Sequence, residues 1–370
     1  MSSNDRDMDG GTQRGVSQLV ARAAAADVRA DQRLTVAIDD FFLAEDARLD
    51  ERVRAALGAT LAALVATVES GVRRHAARLL ASRDASKLSG ALADDPLSVL
   101  GRLVATGLVR DADLMRELIG RTRQDVLGEA LPVEAPEDPD RASLLARLIQ
   151  HPDSVVASAA MTQLAAESRR RGESEGVPSH TDLPAELHHR LVWWVTAALR
   201  ERFAEEAGDM LPALDRALAE AAMRSVAAHD EGDRLEAAAM RLAAALDARA
   251  NELAPLLVET LADHRPALFV AMLAHALGLD FEDAREIVLD PAADRLWLVL
   301  RALEIDRASI ARIGLALTEA DPRRDLDQFA DSLDDIIATP AASARAALAP
   351  LLLHPDYRAA LLALGRGARA

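Results

Sequence analysis

Apolar residues recur at steps of three and four along nearly the whole chain. In Asp50–Val68, DERVRAALGATLAALVATV, the residues Val53, Leu57, Leu61, Leu64 and Val68 mark one stripe of a helix. VRRHAARLL (Val72–Leu80) continues in the same style after Gly71. No run alternates with period two for long enough to predict a strand. Two polar stretches interrupt the rhythm: PVEAPEDPD at Pro132–Asp140 and GESEGVPSHTD at Gly172–Asp182. From Leu183 onward the pattern predicts helices to the end. Joints are expected near Gly208, Gly232, Asp263–Pro266, Gly278–Asp280, Asp290–Pro291, Ile305–Asp306, Asp321–Pro322 and Thr339–Pro340. Short joints make neighbouring helices antiparallel, and an amphipathic pair cannot bury its apolar face alone, so pairs stack. The expected fold class is all-α: stacked antiparallel helical hairpins in an irregular HEAT-like repeat, or α-solenoid. The expected division is a disordered segment 1–12, an N-terminal HEAT-like helical domain 13–170 with a loop at 132–140, a flexible linker 171–182, and a C-terminal all-helical domain 183–370.

The punctuation can be read residue by residue. In DPLSVLGRLVATGL, Asp95 is expected to cap a helix that opens with Pro96, where the missing N–H costs nothing. Gly107 ends it, and Asp111 or Asp113 starts the next. His-Pro-Asp occurs twice, at His151–Asp153 and His354–Asp356, each time as a turn ahead of a helix start. ALGLDFEDAREI (Ala276–Ile287) and ALEIDRASIARI (Ala302–Ile313) share one frame, with Asp280 and Asp306 26 positions apart. Both read as corners between helices. Each Asp is placed to accept from otherwise unpaired backbone N–H groups, worth about 1 kcal/mol. A Ca²⁺ loop needs Gly at its sixth position; counted from Asp280 that position is Arg285.

Composition then narrows the function. Half of the 370 residues are hydrophobic but only 3% are aromatic, so Ala, Leu and Val carry the core, which favours helices. There is no cysteine, which excludes disulfides and thiolate metal sites. The N-terminal MSSNDRDMDGGTQRG has no apolar core of a signal peptide. Charge-free stretches such as Ala55–Val68 fall short of the roughly 20 residues of a bilayer span. The expectation is a cytoplasmic protein without a membrane span. A net charge of −17 opposes nucleic-acid binding, which rests on neutralising phosphates. The local exception would be Arg169-Arg170-Arg171, whose simpler reading is a solvated helix end. Lys87 is the single lysine, and its polar setting does not suit covalent chemistry.

No assembled catalytic signature is visible. The nine histidines give no HExxH and no pair at i, i+4 on one helix face. His275 and His75 read as helix-packing residues. Phosphate loops and nucleophile elbows are absent. No catalytic, cofactor-binding or metal-ligating residue is therefore assigned, and no cofactor is expected. The most distinctive segment is HHRLVWWVTAALRERF (His188–Phe203). Leu187, Leu191, Trp194 and Ala198 follow one stripe; Trp193 lies off it, near Arg190 and Ala197. Trp193 and Arg190 are the candidate partner-binding residues, because Trp and Arg are enriched at binding hot spots. Trp297, with apolar neighbours at helical spacing, reads as core.

The blocks VRRHAARLLA, LADDPLSVLGRLVATGLVRDADLMRELI and LFVAMLAHALGLDFEDAREIVLDPAADRLWLVLRALEI resemble an alphaproteobacterial helical family, domain of unknown function 2336. The resemblance runs from about Asp50 to Ala316. It implies an all-helical, HEAT-like fold and carries over no catalytic residue. The expected function is a non-catalytic scaffold or regulatory protein that binds another protein, since stacked hairpins offer extended surfaces. The alternatives are a small-ligand sensor with a pocket between the two helical parts, and a HEAT-type enzyme acting on nucleic acid. The second of these needs a basic groove.

Overall fold

The computed structural model describes residues 34, 35, 38, 50–83, 85–132, 142–173 and 181–367. The expected disordered segment 1–12 and most of the loop 132–140 lie outside them. Every regular element among the described residues is helical. They group into two compact units, each built from separate chain segments: Asp40–Thr122 with Leu164–Ala237, and Arg123–Gln163 with Ala238–Ala370. The divisions fall inside helices. They do not fall at 171–182, whose flanking segments 164–173 and 181–237 share one unit.

In the first unit, α1 (Glu51–Ala81) is the central helix, flanked by α2 (Ser86–Asp94), α7 (Ala185–Ala207) and α8 (Leu211–Ala227). Asp50 opens α1 by accepting from the Arg52 N–H. The stripe Val53, Leu57, Leu61, Leu64 and Val68 is buried throughout. Each such side chain contributes about 1.5–3 kcal/mol of transfer free energy. By length and composition α1 could cross a bilayer, contrary to the sequence expectation, because few charges interrupt it. A long core helix meets the same description, and 39% of its apolar window is buried here.

Farther along α1, buried Glu69 and Arg73 pair at 2.6 Å. Arg73 donates to the carbonyls of Asp95 (2.6 Å) and Leu97 (2.8 Å). Glu69 accepts from the Val99 N–H at 3.1 Å and the Ser98 hydroxyl at 3.0 Å. This clamp ties residues 95–99 to α1, and α3 (Leu100–Ala105) begins four residues after the expected Pro96. Gly107 does end the turn, in the left-handed region at φ 76°. Asp111 then caps α4 (Ala112–Ala130), accepting from Leu114 N–H at 3.0 Å.

In the second unit, α5 (Leu144–Ile149) and the start of α6 (Ser154–Glu173) flank the first His-Pro-Asp turn. There Asp153 donates its N–H to His151 Nδ1 at 3.1 Å and its carboxylate accepts from Val155 N–H at 2.8 Å. The chain returns through α9 (Leu235–Leu246), which spans both units, and then α10 (Ala250–Ala262), α11 (Pro266–Leu277), α12 (Phe281–Leu289) and α13 (Asp294–Ala302). It closes with α14 (Arg307–Ala320), α15 (Leu326–Ala338), α16 (Ala341–Leu348) and α17 (Pro355–Gly367). Ala267–Ala274 on α11 is buried on all sides. α10 packs on α14, α13 on α16, and α14 on α15.

The two similar corners have one backbone. Gly278 (φ 69°) and Glu304 (φ 58°) both take the left-handed region. Leu279 N–H reaches the Ala274 carbonyl at 2.9 Å, and Ile305 N–H the Leu300 carbonyl at 3.0 Å. That is the expected helix stop, with Glu304 standing where the first corner has glycine. The caps differ. Asp306 accepts from Ser309 N–H at 3.0 Å and from its hydroxyl at 2.7 Å. Asp280 has the cap backbone but makes no cap hydrogen bond, so the expected bond is corrected there.

Candidate functional site

Two regions carry features beyond packing, one in each unit. In the first unit, ion pairs tie residues 95–113 alongside α7. Asp95 takes Arg202 at 2.9 Å, Arg102 forks onto Glu201 at 2.7 and 2.8 Å, and Arg190 reaches Asp111 (3.2 Å) and Asp113 (3.0 Å). The order of partners shows the segments running antiparallel. The guanidinium of Arg190 holds the Asp113 carboxyl below the usual range, and Arg102 does the same for Glu201. The pairs of Arg102 with Glu201 and of Arg190 with Asp113 are largely exposed, so each adds little stability; Asp95 and Arg202 are more buried.

Between the ends of that ladder lie exposed apolar residues. Val104 and Leu108 are 41% and 38% exposed, and on α7, between Arg190 and Glu201 in sequence, Trp193 is 37% exposed. Trp194 is half-buried, while Leu187, Leu191 and Ala198 are buried, as the stripe predicts. The Trp193 indole N–H donates to His189 Nε2 at 3.0 Å, with the rings edge to face. Its one polar atom is thus satisfied by its own helix. Arg190 does not project freely; it is committed to Asp111 and Asp113 and forms part of the charged rim.

Elsewhere the same unit buries charges that sequence reading missed. Arg170 donates to Asp182 at 2.8 Å and to Glu236 at 2.7 Å. Arg234 donates to Glu117 at 3.1 Å. Arg121 approaches Asp182 at 3.7 Å. The triplet Arg169–Arg171 is therefore no solvated helix end at its centre. Arg169 reaches the Asp233 carbonyl at 2.8 Å, and Arg171 pairs with Glu167 at 3.8 Å. The segment read as a flexible linker contributes Asp182 to this cluster, and also Thr181, which shares a 2.7 Å hydrogen bond with His188 Nδ1. His188 stacks on His229 at 4.1 Å between centroids. Burial, and then the nearby His229, pull the His188 pKa down to about 4.

In the second unit a cleft of about 270 Å³ opens between the α12–α13 joint, the end of α14 and one face of α15. Trp297 and Phe329 stack at 4.8 Å in its wall. Gly314 makes room for this: a Cβ there would lie 2.1 Å from Phe329 Cζ. Asp331, Ser332 and Asp335 of α15 also line it. Arg324 forms part of the wall. Its side chain is 3% exposed and donates to the Val288 carbonyl at 2.5 Å. Asp321 stands 3.7 Å from its Nε but turns to Arg323, at 2.7 and 2.8 Å. Among the described residues, Arg324 Nε and Nη1 find no hydrogen-bond partner. Burial pulls its pKa down to about 10, against the opposing charges of Asp321 and Asp290. No motif announced this residue; Asp321–Pro322 was legible only as a joint.

A family model described as "Uncharacterised protein conserved in bacteria (DUF2336)" matches residues 137–349. The match begins later than the expected Asp50 and extends past Ala316, so it covers the cleft residues and α7. No curated protein and no solved structure matches the chain.

Proposed function

We propose, for a chain that belongs to this uncharacterised bacterial family, that it is a non-catalytic scaffold or regulatory protein which grips a protein partner through the outer face of α7. The irregular HEAT-like reading of its helices fits an extended binding surface. The observation that carries the proposal is Trp193. Its indole offers a large apolar face while His189 already satisfies its N–H. A partner can therefore cover the ring without leaving a donor unpaired, which otherwise costs about 1–3 kcal/mol. Val104 and Leu108 extend the apolar area, and the ion pairs of Arg102 and Arg190 give it the polar rim found around binding hot spots.

The test is affinity capture from native cells with the wild-type chain and with Trp193→Ala. The reading expects a defined partner retained by the wild type and lost by about tenfold or more in the variant. The unfolding midpoint should be unchanged, because the ring is not core. Equal recovery of the same proteins by both chains would refute it.

A further inference from the structure

The cleft in the second unit supports an inference that does not rest on partner binding. We infer that it is a binding site for a small zwitterion of the amino-acid class, whose carboxylate meets Arg324 and whose ammonium group lies against Asp331 and Asp335.

Four observations converge. The first is the space: about 270 Å³ suits a molecule of a few to a dozen heavy atoms and is tight for a nucleotide. The second is Arg324. Buried polar groups are nearly always hydrogen-bonded, and an exception asks for a reason. Here a desolvated guanidinium keeps two nitrogens without hydrogen-bond acceptors among the described residues, beside a cavity whose wall it forms. Asp321, whose carboxylate lies 3.7 Å from the Arg324 Nε, is hydrogen-bonded to Arg323 at 2.7 and 2.8 Å. The third is α15. Asp331 is exposed and Asp335 half-buried, and both lie on the face turned to the cleft. The fourth is the Trp297–Phe329 stack, since aromatic faces attract ammonium groups by about 0.5–2 kcal/mol.

Charge chooses among ligand classes. A simple anion would suit Arg324 but meets the carboxylates of Asp331 and Asp335, with those of Asp294 and Asp325 also in the lining. A simple cation would suit the carboxylates but leaves the guanidinium nitrogens unmatched. A molecule carrying both groups satisfies both ends, and its backbone or side chain rests on the two rings. The guanidinium nitrogens are closed off from bulk water, so a ligand carboxylate reaches them only as the wall side chains turn aside.

The experiment uses the full chain with Trp193→Phe and Trp194→Phe, which leaves Trp297 as the one tryptophan. The twenty protein amino acids are titrated singly while Trp297 emission and the unfolding midpoint are followed. At least one should shift both signals. Its decarboxylated amine and its deaminated acid should each bind about tenfold more weakly, the scale of one lost charge-assisted hydrogen bond. Asp331→Asn, a surface change that leaves the fold intact, should weaken the amino acid by a similar factor, and Arg324→Met should abolish the preference for the amino acid over its amine. The inference falls if no amino acid changes Trp297 emission. It also falls if the amine or the acid alone binds as tightly as the parent, or if Asp331→Asn binds unchanged.

Discussion

Two buried arginines, Arg170 in the first unit and Arg324 in the second, are chemically the same group in different company. Arg170 donates to two carboxylates, Asp182 and Glu236, and so closes a structural cluster. Arg324 donates to one carbonyl, stands 3.7 Å from a carboxylate engaged elsewhere, and borders a cleft. Burial alone therefore does not make a charge functional. The informative quantity is how many acceptors the fold supplies once water has been removed.

The largest effect belongs to the first unit. Arg170→Met leaves Asp182 and Glu236 buried short of a partner, and should cost about 3–5 kcal/mol in urea unfolding. A loss below about 1 kcal/mol would mean the cluster is not a fastener. The histidine stack of the same unit comes next. The folded His188 titrates near 4 and the unfolded one near 6.5, so between these values the unfolded chain binds the extra proton. Stability should be full above about pH 6.5 and fall as pH drops toward 4, by up to about 3 kcal/mol. His188→Gln should flatten that window in unfolding midpoints measured against pH.

In the second unit, Gly314→Ala places a methyl inside the Phe329 ring and should cost about 1–3 kcal/mol. It should also disturb Trp297 emission through the stacked pair; an unchanged spectrum would show that the ring has room to move. The smallest difference separates the two corners. Asp306→Ala should lose about 1 kcal/mol with its cap hydrogen bonds. Asp280→Ala, with no such bond, should stay within about 0.5 kcal/mol of wild type. Equal losses would mean that both carboxylates cap in solution.

Much of the scaffold was legible because it depends on local rules. The period of three and four located α1, and its predicted stripe is the buried one. The left-handed corner at Gly278 was legible from glycine, and its partner at Glu304 from the shared frame. The joint at Asp247, at φ 39° between α9 and α10, was missed because no glycine or proline marks it. Trp193 was separated from Trp194 by counting residues off the apolar stripe. The buried charges were not legible. Arg170 sits in a triplet that sequence shows only as basic, and its acceptors come from residues 182 and 236, brought near by the fold. Arg324 was hidden for the same reason: whether a guanidinium finds acceptors is decided by tertiary neighbours.

The central claim, that Arg170 fastens the fold while Arg324 does not, is tested most directly by urea unfolding of Arg324→Met beside Arg170→Met in the ligand-free chain. The account predicts that Arg324→Met costs less than about 1.5 kcal/mol, because Asp321 keeps its hydrogen bonds to Arg323 and the losses are the bond to the Val288 carbonyl and the long 3.7 Å pair with Asp321. A loss as large as that of Arg170→Met would contradict it, and would make Arg324 a structural member of the wall.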